Sequence, residues 1–320
     1  MDDLQRCPCR LDRLTLLDME RSITAPDGCT LSYWLRRTSD QPAPVILMIH
    51  GAASNHTRWS EFVDSTRLAE TWDLLRPDMR GNGQSFYRGR LDLDVWSRDL
   101  ALLLDAEKYS KALLVGHSLG AQIAIQFAQD HADRVQGLAL IDPVVRDTLI
   151  GRKRRVSHSR PLFRAAVSVI RGLNALGLKR REIPDRDLRE LDRETRIALQ
   201  DGQSAEEIAN RYSALGPILR YQPTANYLQQ LIATTASLPE LETITVPVAI
   251  LLSTGITFAD PRINREALEH FPDVQFTSID ANHWPLTESP DEVRQAIEEW
   301  VVERFPTTPK PLRALKPLSP

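Results

Sequence analysis

Residues 111–128 place a strand, a sharp turn and a helix in one unbroken stretch, and this stretch constrains the fold most. Lys111-Ala-Leu-Leu-Val is an apolar run of strand length, and Ala121-Gln-Ile-Ala-Ile-Gln-Phe-Ala has a helical pattern. Gly116-His-Ser-Leu-Gly120 joins them. A turn this tight leaves no room for a Cβ on either side, which accounts for both glycines and predicts Ser118 at the apex. The G-x-S-x-G pattern alone is a weak signal. Between a buried strand and a helix it becomes specific.

The remaining chain repeats the same rhythm. Arg21-Ser-Ile-Thr and Thr30-Leu-Ser-Tyr-Trp-Leu flank a turn at Asp27-Gly28, and the second run alternates with period two. Val45-Ile-Leu-Met-Ile, Trp72-Asp-Leu-Leu-Arg-Pro, Val135-Gln-Gly-Leu-Ala-Leu-Ile, Val246-Pro-Val-Ala-Ile-Leu-Leu-Ser and Val274-Gln-Phe-Thr-Ser-Ile-Asp read as further strands. Continuous apolar runs suit strands covered on both faces. Strands alternating with helices predict an α/β fold, a mostly parallel sheet with helices on both faces.

From 146 to 238 no buried strand is evident, and helical, Arg-rich segments take over. This stretch reads as a helical cap inserted into a core of residues 20–145 and 239–305, preceded by an extension at 1–19. The last core helix carries start signals: Ser289 as cap, Pro290 in the first turn, and Glu292 to complete a capping box. Val293, Ile297, Trp300 and Val301 then share a face. The Pro-rich tail, 306–320, is expected to be disordered.

At 320 residues the chain can bury a large core, and its 42% hydrophobic and 26% charged residues are ordinary for a soluble globular protein. A net charge of −3 gives no global field for nucleic acid. No window approaches the roughly 18 apolar residues that span a bilayer, and the acidic first residues lack the apolar core of a secretory signal. Cys7, Cys9 and Cys29 form no evident zinc site, so no metal is expected and the thiols read as reduced and cytoplasmic. The basic residues Arg152-Lys-Arg-Arg155 are poorly compensated, whereas Glu182, Asp185, Asp187, Glu190, Asp192 and Glu194 offset the charge after Arg180-Arg181. Weak contact of the basic run with an anionic surface or an acyl carrier follows as a minor expectation.

A serine hydroxyl needs a base, and the developing oxyanion needs donors. Of seven histidines, His283 stands out. It follows the last strand in Asp280-Ala-Asn-His-Trp-Pro, at the sheet edge where active sites of open α/β sheets gather. His117 adjoins the serine, but a side chain next in sequence is expected to point elsewhere. His131 and His270 fall at helix ends, and His56 in a loop. His50-Gly51-Ala52 closes the third strand, so the amides of Ala52 and Leu119 are the candidate oxyanion donors.

These motifs resemble those of the α/β-hydrolase fold superfamily. His50-Gly-Ala, Asp78-x-Arg-Gly-x-Gly-x-Ser85, Gly116-x-Ser-x-Gly120 and Asn282-His283-Trp284 occur in order. The likeness covers roughly residues 20–145 and 240–305. The resemblance implies Ser118 as nucleophile, His283 as base, and Ala52 and Leu119 as donors of amides, with the Asp78–Ser85 stretch a structural turn beside the pocket. Relatives usually carry the triad acid in a Gly-x-x-Asp turn after the strand that follows the cap, but that position holds Phe258 and Asp260 comes two residues late. Others take the acid from the end of the strand after the nucleophile helix, where Asp142 stands. Asp142 is preferred; Asp260 is the alternative and also suits a helix N-cap before Pro261. The resemblance implies a cofactor-free serine hydrolase acting on an ester or related acyl bond of a small, largely apolar substrate. A thioesterase, lactonase or C–C bond hydrolase on the same triad, or a non-catalytic ligand-binding protein, is the alternative.

Overall fold

The computed structural model describes residues 18–39, 43–150, 155, 158–257 and 259–307. Expectations for the first 17 residues (Cys7 and Cys9 among them), for Arg152–Arg154, for Phe258 and for the tail from 308 lie outside these described residues.

Eight strands form one sheet: β1 (Met19–Thr24), β2 (Thr30–Arg36), β3 (Val45–Ile49), β4 (Asp73–Pro77), β5 (Ala112–His117), β6 (Val135–Ile141), β7 (Val248–Ser253) and β8 (Val274–Ile279). Their spatial order is β1-β2-β4-β3-β5-β6-β7-β8. β1 and β2 pair as a hairpin, with Gly28 in the left-handed region at φ +82°, and β2 runs antiparallel to β4. Every pairing from β4 to β8 is parallel.

The two-residue period divides the core into two layers. Val45, Leu47, Ile49, Leu114, Leu138 and Ile250 face α2 (Leu93–Ala106) and α3 (Leu119–Asp130). Ile46, Met48, Leu113, Val115, Ala139 and Leu251 face the other way, toward α1 (Ser60–Ser65) and the C-terminal helix. Both faces of the central strands are thus dry, which is why their sequences are apolar without alternation.

Between β6 and β7 the described residues hold five α-helices and no sheet strand: α4 (Arg160–Ala175), α5 (Leu188–Gln200), α6 (Ala205–Ser213), α7 (Leu215–Tyr221) and α8 (Thr224–Thr234). Buried amides tie α8 to loops at the carboxyl edge of the sheet. Asn226 Nδ2 donates to the Tyr87 carbonyl at 2.7 Å, and Gln229 Oε1 accepts the Leu91 amide at 2.9 Å. Gln230 Oε1 accepts the Ala53 amide at 2.8 Å. α5 is held by a buried ion pair between Arg58 and Asp192, which also accepts from Thr287 Oγ1 at 2.9 Å and Tyr212 OH at 3.1 Å.

After β7 come α9 (Pro261–Leu268), the short α10 (Pro285–Glu288) and α11 (Pro290–Arg304). Val293, Ile297, Trp300 and Val301 of α11 are all buried on one side. The expected capping box is not formed. Ser289 Oγ instead donates to the Asp280 carbonyl at 2.7 Å, and Glu292 accepts the Asp280 amide at 3.4 Å. Both side chains reach back to the loop after β8, so they fix its position relative to α11. No helix among the described residues is long and apolar enough to cross a membrane.

Candidate active site

Ser118 sits between β5 and α3 with φ 53° and ψ −115°, a conformation rare for a side-chain-bearing residue. A Cβ on Gly116 would strike the Gly120 carbonyl, and one on Gly120 would strike the Ile49 carbonyl. Such a strained residue costs about 1–3 kcal/mol. Burial of Leu113, Leu114 and Val115 on the strand, at about 1.5–3 kcal/mol for each full side chain, outweighs it.

The turn lifts Ser118 Oγ to within 2.9 Å of His283 Nε2. With Nε2 accepting from the hydroxyl, the ring proton lies on Nδ1 and faces Asp142, whose Oδ2 is 3.7 Å away. That separation is an ion-pair distance and longer than a hydrogen bond. The carboxylate is already held elsewhere: its Oδ1 accepts the Ser253 amide at 2.8 Å and its Oδ2 the Ser253 hydroxyl at 2.6 Å. Burial pushes the Asp142 carboxyl up to about 7; the two Ser253 hydrogen bonds oppose that rise and the nearby Glu288 charge adds to it. Asp142 also lies in the left-handed region, at φ 43°.

The His283 loop is braced from two directions. Glu288 accepts the Asn282 amide at 2.9 Å, the Asn282 side chain at 2.8 Å and the Trp284 amide at 3.2 Å. From the other side His117 Nε2 donates to the His283 carbonyl at 3.0 Å. Gly255 passes so close that a Cβ there would meet Asn282 Oδ1.

Among the described residues neither the Ala52 nor the Leu119 amide has an acceptor. The neighbouring Ala53 amide is taken by Gln230, and His50 fixes the same loop with Nδ1 on the Gly51 carbonyl at 2.8 Å and Nε2 on the Met79 amide at 3.0 Å. Burial lowers the His50 ring to about 4, so it stays neutral and can serve as donor and acceptor at once. The Leu119 amide opens a helix, where backbone donors and the helix dipole favour negative charge.

Ser118 and His283 open into a cavity of about 90 Å³ walled by Val144, Leu149, Leu188, Ile218, Leu231 and Trp284. Two guanidinium groups, of Arg58 and Arg186, also line it. Arg58 is paired with Asp192, whereas Arg186 stacks on Tyr221 at 5.1 Å and has no carboxylate at ion-pair distance among the described residues. Burial lowers the Arg186 guanidinium from its usual value.

A model of the α/β hydrolase fold matches residues 44–290. The chain belongs to this family. An uncharacterized protein of Mycobacterium tuberculosis (strain ATCC 25618 / H37Rv) is 38% identical over 103 residues, 31% of this chain and 28% of that relative. This chain thus spans well under half the length of that relative. The sn-1-specific diacylglycerol lipase of Mus musculus is 23% identical over 264 residues, 82% of each chain. A hydrolase from Pseudomonas aeruginosa has the same fold, with a TM-score of 0.65, 18% identity, and coverage of 88% of this chain and 98% of that one.

Within this α/β hydrolase frame, the loop residues fall at the carboxyl ends of β3, β5, β6 and β8, the edge where such sheets bind ligands. The structure brings Ser118, His283, Asp142, Ala52 and Leu119 together there. Asp260 has a different position: it caps α9, accepting the Arg262 amide at 2.9 Å. A carboxylate engaged in that way follows from Pro261 at the helix start, which fixes where the cap must stand.

His117 and Glu288 act otherwise than their sequence context suggests, whereas Asp78 holds the structural turn expected of its stretch. His117 does not point away but braces the His283 loop. Asp78 anchors its turn by accepting the His56 amide at 2.8 Å, the His56 ring at 2.9 Å and the Gln84 amide at 2.8 Å. Glu288 braces the His283 loop without any sequence signal, because a lone glutamate in a short helix carries no pattern of its own. Among the described residues no cluster of three or more His, Cys, Asp or Glu side chains could hold a metal ion. Cys29 is a buried free thiol that burial pushes up to about 11.

Proposed function

We propose that this α/β hydrolase fold protein is a serine hydrolase that cleaves an ester or related acyl bond through an acyl-enzyme. Ser118 attacks the carbonyl as His283 takes its proton. Asp142 holds His283 in the tautomer with Nδ1 protonated and stabilises the imidazolium that forms. The amides of Ala52 and Leu119 receive the tetrahedral oxyanion; each such donor typically contributes roughly 10²–10³ in rate. His283 then protonates the leaving group and activates water to clear the acyl group.

The 2.9 Å contact between Ser118 Oγ and His283 Nε2 carries this reading. The 3.7 Å gap to Asp142 is compatible with it, since catalytic hydrogen bonds are often long in a free enzyme and tighten with substrate bound. Residues 146–238 act as a cap over the core of residues 20–145 and 239–305, and the apolar wall selects a small, largely apolar substrate. Arg186, lining the same cavity without a carboxylate partner, favours an acyl chain that ends in a carboxylate. No cofactor enters any step. The same residues would serve a thioesterase, a lactonase or a C–C hydrolase, because the fold does not select the bond.

A fluorophosphonate probe tests the reading. It should modify the wild-type protein and leave the folded Ser118→Ala variant unlabelled. Failure to label wild type, or equal labelling of both, would overturn the mechanism and favour a non-catalytic binding role.

A further inference from the structure

Helix α4 carries two apolar sides, and only one of them is buried. Val167 faces inward, where α4 packs on α8. On another side Leu162 (69% exposed), Val169 (63%) and Leu173 (42%) recur seven and four residues apart, which aligns them in one stripe along the helix, and Leu176 (80%), its C-cap residue, follows three residues on. Leu178, 68% exposed, extends it past the helix end. Scattered apolar side chains are ordinary on a surface, but a contiguous stripe of this length marks a contact surface.

The charge of the same segment is one-sided. From Thr148 to Arg181 the sequence carries ten Lys and Arg residues and no Asp or Glu, in a chain whose net charge is −3. Among the described residues Arg155, Arg164, Arg171, Lys179 and Arg181 join no ion pair. Arg164 and Arg171, seven residues apart, share the side of the helix opposite the stripe, while Arg155 precedes the helix and Lys179 and Arg181 follow it. Arg160 adds to this field, and crowding by Arg164 and Arg146, after burial, lowers its guanidinium from the usual value.

We propose that α4 and the basic residues around it dock the protein on an anionic phospholipid surface, with Leu162, Val169, Leu173 and Leu176 set among the acyl chains. A helix of 16 residues with three arginines is too short and too charged to span a bilayer, so it lies in the interface plane. A second copy of this chain fits less well, because a symmetric contact would bring one basic segment against another. An anionic bilayer meets both the apolar stripe and the basic residues that flank the helix in sequence, Arg152–Arg155 before it and Lys179–Arg181 after it. The docked helix backs onto α8, whose Tyr227, Leu231 and Thr234 line the cavity, so the membrane would adjoin one wall of the candidate site. The proposal does not depend on the catalytic reading.

Co-sedimentation of the full chain with vesicles tests it. Wild type should pellet with vesicles of phosphatidylcholine mixed with phosphatidylglycerol, remain in solution with phosphatidylcholine alone, and release as salt rises. Replacing Leu162, Val169, Leu173 and Leu176 together by Ser should lower partitioning at least tenfold with no change in the thermal unfolding midpoint. Lys179→Glu with Arg181→Glu should weaken it by about fivefold for each charge removed. Ser118→Ala should bind as wild type does, which separates failure of this proposal from failure of the mechanism. Three results would overturn it: no binding to anionic vesicles, equal binding by the Ser variant, or a stripe-dependent dimer in light scattering without vesicle binding.

Discussion

His117 Nε2 donates a 3.0 Å hydrogen bond to the backbone carbonyl of His283, so the residue before the elbow serine holds the loop that carries the candidate base. A carbonyl only accepts, which fixes the proton of His117 on Nε2. Burial lowers the His117 ring to about 4, so this donor is present at every working pH. Replacing His117 by Ala removes the brace and leaves a hole beside it. We expect kcat to fall by about tenfold, in line with about 1–2 kcal/mol of lost positioning, with fluorophosphonate labelling slowed but not abolished. Restoration of labelling by His117→Gln, whose amide can donate to the same carbonyl, would separate positioning from a general loss of packing.

The same burial makes stability depend on pH. His50 and His117 both titrate near 4 in the folded protein and at about 6.5 when unfolded. Between these values the unfolded chain binds more protons, so stability is present above about 6.5 and is lost as pH falls toward 4. The thermal midpoint should decline over that window. In His117→Gln the decline should be shallower, and an identical slope would show that the ring is not buried as neutral imidazole.

Asp142 works in the opposite sense. Its carboxyl is raised from an ordinary 3.8 to about 7, so the folded protein binds the proton more tightly than the unfolded chain does. Its contribution is favourable at acid pH and is lost as pH rises through about 7. The charged form that the proposed mechanism uses beside His283 is thus the costly one, and under that mechanism kcat/KM should fall as pH drops below about 7. Asn tolerates the left-handed backbone at this position. Asp142→Asn should therefore remain folded at pH 8, with an unfolding midpoint at or above that of wild type, while kcat falls by about 10³–10⁴ through loss of the required tautomer. Full activity in that variant would remove Asp142 from the mechanism.

The buried Arg58–Asp192 pair joins α5 to the core beside the candidate site. Both side chains are more than nine-tenths buried, so removing either one strands the other's charge. Asp192→Ala should cost about 3–5 kcal/mol of stability, as for other broken buried pairs. Limited proteolysis should then cut within 188–213 before the core, because α5 loses the network through Tyr212 and Thr287. Replacing both partners by apolar residues should recover much of the loss.

The strands, the elbow and the pairing of Ser118 with His283 were legible because each depends on local rules. Apolar runs mark buried strands, paired glycines mark a close backbone approach, and a histidine after the last strand must fall at the carboxyl edge of a parallel sheet. What could not be read depends on contacts between distant segments. Ser253 grips Asp142 across 111 positions, and His117 meets His283 across 166. The capping motif at Ser289 failed for the same reason: its local partner was outcompeted by Asp280, a tertiary neighbour. The Asp142 and Asp260 alternatives differ only in which loop reaches the imidazole. Local pattern carries no information about that distance.

Arg186 offers a direct probe of what the cavity accepts. Its guanidinium lies over Tyr221, lines the same cavity as Ser118, and has no carboxylate at ion-pair distance among the described residues. Burial already disfavours its charge, so a substrate carboxylate would relieve a cost that the free protein bears. A charge-assisted hydrogen bond of this kind contributes about 1.5–3 kcal/mol. Arg186→Gln should lower kcat/KM for a p-nitrophenyl ester with a terminal carboxylate by about 10–100-fold. Turnover of the neutral ester of equal length should change by less than about threefold, since that chain asks nothing of the cation. Equal losses on both esters would mean that Arg186 only supports the local fold, and the cavity's preference would then rest on its apolar wall.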